Sequence, residues 1–161
     1  MIFVTVGNGK FESLVKHLDH LKETNQINDK VIIQIGHGQY KPKHCEFFKF
    51  APNLTNYYNK ADIVIGHGGP GTVFEVLRLK KKLIALANTN RTDPRHQVEF
   101  LSAISKETDS LIYCDELSNL KKIIKEARIK KFSTYQKPLC QMHKLIHNFL
   151  KTKTKNHSKS T

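Results

Sequence analysis

The chain of 161 residues contains no tryptophan, only three cysteines and few acids. No apolar run comes near the roughly 20 residues that cross a bilayer. Each shortage excludes something. Cys45, Cys114 and Cys140 are odd in number, widely spaced and form no CxxC pair. That argues against a disulfide framework or a zinc site and for a reducing compartment. The nine histidines include no HExxH, so no histidine metal site is expected. The opening residues, Met1 to Gly7, have no basic region and no small-residue cleavage site, so they read as a first strand rather than a signal peptide. Acids number 14 against 27 lysines and arginines, a balance of 27 − 14 = +13. This suits an anionic partner such as nucleic acid, an acidic membrane or a phosphorylated substrate. A lysine-rich solvated surface explains it equally well.

What is present is an alternation of apolar runs and amphipathic segments. Strands are expected at Ile2 to Val6, Val31 to Ile35, Phe47 to Phe50, Asp62 to Ile65, Lys82 to Asn88 and Leu111 to Cys114. Helices are expected where Phe11, Leu14, Val15, Leu18 and Leu21 recur, around Leu54 to Tyr58, from Pro70 to about Leu79, and from His96 to Ile104. Two more should cover Leu117 to Ala127 and Leu139 to Leu150. The last carries an apolar stripe that fits packing on its own sheet or docking a partner. Strands apolar on both faces imply an α/β fold with a parallel, Rossmann-like sheet and helices on both faces. One domain over residues 1–150 and a basic, disordered tail over 151–161 follow from the pattern. Ligands of such sheets bind at the carboxyl ends of the strands. There the loops Gly7-Asn8-Gly9, Gly66 to Gly71 and Asn88 to His96 gather.

The most informative stretch runs from Asp62 to Glu75. A short strand enters the turn Gly66-His67-Gly68-Gly69-Pro70-Gly71 and then a helix. Backbone N–H groups and a positive helix end meet there, a site for a phosphate. Pro70 suits the first helical position. Glu75 lies three residues beyond Thr72 on the same helix face, where a carboxylate can accept from two sugar hydroxyls. Phosphate plus sugar points to a nucleotide. A surface helix carboxylate is the plainer alternative for Glu75. The turn literally matches GxGxxG, but the acid that a dinucleotide site needs about 20 residues on is replaced by Asn88-Thr89-Asn90. A dinucleotide (NAD-type) enzyme therefore remains only an alternative. Gly7-Asn8-Gly9-Lys10 lacks the P-loop spacing, and Phe11 stands where its hydroxyl belongs. Gly7 and Gly9 make either a plain strand-to-helix turn or a loop whose backbone N–H groups face a ligand, with Gly7 and Asn8 as its candidate binding residues. Arg91, Arg95 and Lys80 to Lys82 have charge to offset a diphosphate, although the lysine run more simply reads as a solvated helix end.

These residues, Gly68-Gly69-Pro70-Gly71-Thr72 with Glu75 and then His96-Gln97, resemble the C-terminal donor domain of GT-B glycosyltransferases. The small single-domain branch is closest: Alg13-like subunits and the exopolysaccharide subunits of the PssE and EpsF type. Asp93-Pro94-Arg95-His96-Gln97 looks nearer the bacterial members. The resemblance implies that the glycine turn (Gly68, Gly69, Gly71) and Thr72 hold the diphosphate of a UDP-sugar. It further implies that Glu75 binds the ribose and that Gln97, with His96, binds the donor sugar. His67 is the catalytic candidate, donating to a phosphate oxygen of the leaving UDP. A structural histidine beside the turn is its alternative. The general base is expected in the acceptor half.

The resemblance further implies a membrane-anchored Alg14-like or PssD-like partner, a polyprenyl-pyrophosphate-linked sugar as acceptor, and a place on the cytoplasmic membrane face. No cofactor and no metal are expected, in agreement with the absence of Asp-x-Asp. A basic nucleic-acid-binding module is the remaining alternative. Charge alone favours it, and no nucleic-acid partner is expected.

Overall fold

A computed structural model describes residues 1–90 and 95–136, together with Lys144, Ile146, His147 and Phe149. Six strands form one wholly parallel sheet: β1 (Ile2–Thr5), β2 (Val31–Gln34), β3 (Glu46–Phe48), β4 (Ile63–His67), β5 (Lys82–Leu86) and β6 (Leu111–Cys114). Their order is β3-β2-β1-β4-β5-β6, which makes the sheet doubly wound. Ile2 pairs with Val31 on one side and with Ile63 on the other, so the winding reverses between β1 and β4.

The helices are α1 (Glu12–Glu23), α2 (Thr55–Lys60), α3 (Pro70–Arg78), α4 (Arg95–Glu107) and α5 (Leu120–Ile129). Side-chain alternation along the strands explains how they are shared between the faces. Ile2, Val4, Ile63, Ile65, Ile84 and Leu86 face the layer of α1 and α5, meeting Leu14, Leu18, Leu120 and Ile124. Phe3, Val64, Leu83 and Ala85 face α2, α3 and α4, meeting Tyr58, Val73, Val76, Leu77 and Leu101. Both faces are covered, so the central strands read as unbroken apolar runs.

α1 and α3 end alike. The N–H of Asn25 bonds to Lys22 O and that of Gln26 to Leu21 O, while Lys80 bonds to Leu77 O and Lys81 to Val76 O. Asn25 and Lys80 sit at φ 53° and 55°. These are Schellman endings with glycine absent from the left-handed position.

Boundaries differ modestly from the sequence expectation. β3 covers Glu46–Phe48 rather than Phe47 to Phe50, because it pairs only with Ile32 to Gln34 at the sheet edge. β5 stops at Leu86, its last partner of β6. The stretch expected as a helix over 139–150 falls largely outside the described residues, as does the tail over 151–161. Among the described residues no helix is long and apolar enough to cross a membrane.

Candidate functional site

β1 and β4 lie side by side at the reversal, and each runs into a glycine turn before its helix. A cleft of about 450 Å³ opens between those turns at the carboxyl edge of the sheet. Such a position is where open parallel sheets take ligands.

The turn after β1 is held by four hydrogen bonds. Gly7 N–H donates to Thr5 Oγ1 at 3.2 Å, and Gln34 Nε2 donates to the Gly7 carbonyl at 3.4 Å. His37 N–H donates to Gly9 O at 2.9 Å, and Asn88 Nδ2 donates to Lys10 O at 2.7 Å. Gly7 has φ +65°, a conformation costly for any residue with a Cβ. Space is also lacking: a Cβ on Gly7 would stand 2.4 Å from His67 Cε1, and one on Gly69 would stand 2.4 Å from His67 Nε2. The imidazole is seated between the two turns, 8% exposed and lining the cleft.

The second turn delivers the start of α3. Pro70 takes the first helical position and Gly69 caps it in extended conformation. Val73 N–H closes the first helical bond to Gly69 O at 3.0 Å. The N–H groups of Gly71 and Thr72 have no acceptor inside the helix, so they form its positive end where both residues line the cleft. Glu75 follows one turn further in. Tyr58, fully buried at 0% exposure, donates its hydroxyl to Glu75 Oε2 at 3.4 Å. Burial first, then the Glu75 charge and the hydrogen bond, push the Tyr58 pKa well up. Tyr58 is therefore a protonated donor at every physiological pH. No lysine or arginine lines the cleft among the described residues. An anion there would be held by N–H groups, hydroxyls and the imidazole rather than by cations.

The structure gathers seven of the residues singled out from the sequence on this cleft: Gly7, Asn8, His67, Gly69, Gly71, Thr72 and Glu75. Gly68, His96 and Gln97 do not line it. A Cβ on Gly68 would meet Leu101 Cδ1 at 2.7 Å, so its bareness admits α4 against β4. Gln97 is 4% exposed, and its Oε1 accepts the Asn88 N–H at 2.8 Å. It thereby pins the β5–α4 connection, which also holds Lys10. His96 is exposed at the start of α4, next to Arg95. Arg91 lies outside the described residues. The lysine run is placed away from the cleft. Lys81 Nζ donates to Asn59 O and Ala61 O, and Lys82 Nζ to Ala127 O and Arg128 O, at the amino edge of the sheet.

Thr5, Gln34, Leu54 and Tyr58 also line the cleft and were missed in the sequence. Thr5 and Gln34 end strands, and polar residues closing apolar runs were their only signal. Thr5 Oγ1 donates to Gln34 Oε1, a buried pair. Gln34 ends the strand beside β1, where a dinucleotide site would carry its ribose-binding acid. The dinucleotide alternative thus lacks its carboxylate here too. Burial pushes the Cys45 thiol up to about 12 and the Cys114 thiol up to about 11, which disfavours the thiolate at both; Cys140 lies outside the described residues. No group of three or more His, Cys, Asp or Glu gathers among the described residues to hold a metal ion.

Sheet order, two helical layers and a cleft at the reversal define a Rossmann-like domain of the kind found as the C-terminal half of GT-B glycosyltransferases. The chain belongs to the glycosyltransferase family 28 C-terminal domain family, whose model matches residues 1–157. It is 30% identical over 124 residues to the human UDP-N-acetylglucosamine transferase subunit ALG13, a match covering 70% of this chain and 11% of that protein. It is 25% identical over 128 residues to the same subunit of Yarrowia lipolytica, covering 71% of this chain and 65% of that one. The chain thus spans about a tenth of the human relative. Among solved structures, an NMR structure of ALG13 superposes with TM-score 0.58 at 19% identity, over 84% of this chain and 89% of that one. Acinetobacter baumannii MurG gives TM-score 0.58 at 17% identity, over 78% of this chain and 40% of that one.

Proposed function

We propose that this chain is the donor-binding subunit of a two-component glycosyltransferase that moves a sugar from a UDP-sugar to a lipid-pyrophosphate-linked acceptor. The observation that carries the reading is the meeting, on one cleft, of the α3 amino end with the Glu75 carboxylate one turn beyond it. Phosphate oxygens would accept from Gly71 and Thr72 N–H, and the ribose hydroxyls would donate to Glu75. Family membership and the name of the ALG13 relatives support a nucleotide-sugar donor, and UDP-N-acetylglucosamine is the first to test.

In the transfer, an acceptor hydroxyl oxygen bonds to the sugar's anomeric carbon as the bond from that carbon to the diphosphate breaks. The acceptor proton leaves to a base on the acceptor half. Negative charge grows on the departing diphosphate, where the helix end and the His67 ring would stabilise it without a metal ion. A GT-B enzyme closes its cleft between two domains, and the described residues form one, a single sheet with its two helical layers. An Alg14-like or PssD-like membrane-anchored subunit would supply the other and hold this chain at the cytoplasmic membrane face. The word subunit in the relatives' names supports that division.

Saturation-transfer NMR of the purified chain with UDP, three UDP-sugars (N-acetylglucosamine, galactose and glucuronate) and NAD tests the reading. Transfer to uridine protons that disappears in Glu75→Ala is expected. Transfer to NAD alone, or none from any ligand with the partner co-expressed, overturns it.

A further inference from the structure

The strongest charged feature outside the cleft is the outer side of α5 and the turn after it. Leu120, Ile124 and Ala127 face the core. Helical spacing therefore places Lys122, Lys125, Glu126 and Ile129 on the opposite side. Lys121 and Arg128 flank this stripe, and Lys130 and Lys131 follow it. Residues 120–131 carry six cations against Glu126. Arg128 pairs with Asp29 and Lys130 with Asp109, so the patch nets 6 − 3 = +3. Lys122, Lys125 and Lys131 are exposed and have no carboxylate partner among the described residues. Where α5 passes the α1–β2 loop, Gln26, Asn28, Lys121, Lys125 and Arg128 border a second cavity of about 500 Å³. Lys121 Nζ donates there to the neutral Gln26 Oε1 at 2.9 Å.

We infer that this face docks on an anionic bilayer surface, with Lys122, Lys125 and Lys131 against lipid phosphates and Ile129 dipping between headgroups. Ile129 decides between a bilayer and a nucleic acid. It is 85% exposed in the middle of a cationic stripe, where an apolar side chain gains from acyl chains and gains nothing from a phosphodiester backbone. The aromatic side chain at this face, Phe132, is half-buried beneath Lys82 and Lys130 at 6.0 and 5.9 Å, so it offers no open ring for base stacking. The face lies on the layer of α1 and α5, and its cavity adjoins the amino edge of the sheet. The nucleotide cleft opens at the carboxyl edge, so both can be occupied at once. The inference rests on the proposed lipid-linked acceptor for its purpose alone.

The test is sedimentation of the full chain with phosphatidylcholine vesicles made with or without phosphatidylglycerol. Binding to the anionic vesicles only, weakening as salt rises, is expected. Lys122→Glu/Lys125→Glu/Lys131→Glu should weaken it about tenfold or more, and the corresponding arginine variant should retain it. Ile129→Asp should weaken it with unchanged melting temperature. Should the glutamate variant melt early, the glutamine version decides instead. Equal binding to neutral vesicles overturns the inference, as does full binding by the charge-reversed variant. So does loss of binding only on neutralising Lys151, Lys153, Lys155 and Lys159, or salt-sensitive RNA binding without vesicle binding. Uridine saturation transfer measured on the same samples keeps the two proposals apart. If it persists while vesicles are ignored, the docking face alone is wrong. If it is absent while vesicles bind, the donor site alone is wrong.

Discussion

The hydroxyl of Tyr58 on α2 donates to Glu75 Oε2 on α3 at 3.4 Å, across 17 positions of sequence. Phe3, Phe48 and Tyr57 pack around this corner. Phe3 meets Tyr57 at 5.1 Å and Tyr58 edge-on at 5.5 Å, while Phe48 meets Tyr57 at 4.7 Å. The rings seat Tyr58, and Tyr58 fixes the carboxylate proposed for the ribose. Glu75→Ala should weaken UDP binding about 30-fold, the size of a lost charged hydrogen bond. Tyr58→Phe should weaken it by only about 3- to 10-fold, because the carboxylate stays but turns more freely. Titration calorimetry on both variants checks the order. A Tyr58→Phe loss as large as that of Glu75→Ala would contradict the supporting role.

The His67 ring blocks any side chain on Gly7 or Gly69. Gly69→Ala should therefore destabilise the fold by about 1–3 kcal/mol through overpacking, and most of that should vanish when His67→Ala is added. Gly7→Ala should cost more, and its double variant should recover only in part, since the φ of +65° persists after the ring is gone. Denaturant unfolding of the five variants (three single, two double) and the wild type closes both cycles.

Gln97 spends its carbonyl on the Asn88 N–H inside a closed corner. Gln97→Leu keeps most of the volume and strands that donor, a cost of about 1–3 kcal/mol. A fall in melting temperature of roughly 2–4 °C per kcal/mol is expected for a domain of this size. Retention of full stability would show that the Asn88 contact contributes nothing to the fold.

Asp19 is buried in α1 at 2% exposure. It accepts from Tyr40 Oη at 2.7 Å, Lys43 N–H at 2.9 Å and His44 N–H at 2.7 Å. Burial raises its pKa, but the bonds from Lys43, Tyr40 and His44 outweigh that, and the net value lies below the ordinary 3.8. Its contribution is thus present above pH 3.8 and lost as pH falls through the lower folded value. Tyr40, hydrogen-bonded to Asp19, is pushed up from 10.0 to about 12. That part is present below pH 10 and lost as pH rises toward 12. Asp19→Asn should therefore cost about 1–3 kcal/mol at neutral pH and progressively less in acid. Urea unfolding at a series of pH values measures it.

Local patterns made much of this protein legible from its residues alone. The parallel sheet followed from strands apolar on both faces, because only a sheet covered twice buries such runs. The glycine turn over 66–71, with a helix starting at Pro70, followed from the strand–glycine–helix order, a matter of neighbouring backbone geometry. So did Glu75, one turn on from Thr72 along the same helix. What the tertiary structure decided is everything that joins distant segments. It put Tyr58 against Glu75, Gln34 against Thr5, and Gly7 against the ring of His67. It turned Gln97 inward onto Asn88, and it carried Lys81 and Lys82 to the edge opposite the cleft. Sequence periodicity specifies which side of an element is apolar. It does not specify which two elements the sheet order brings together, and contacts across 17, 29 or 60 positions depend on that order alone.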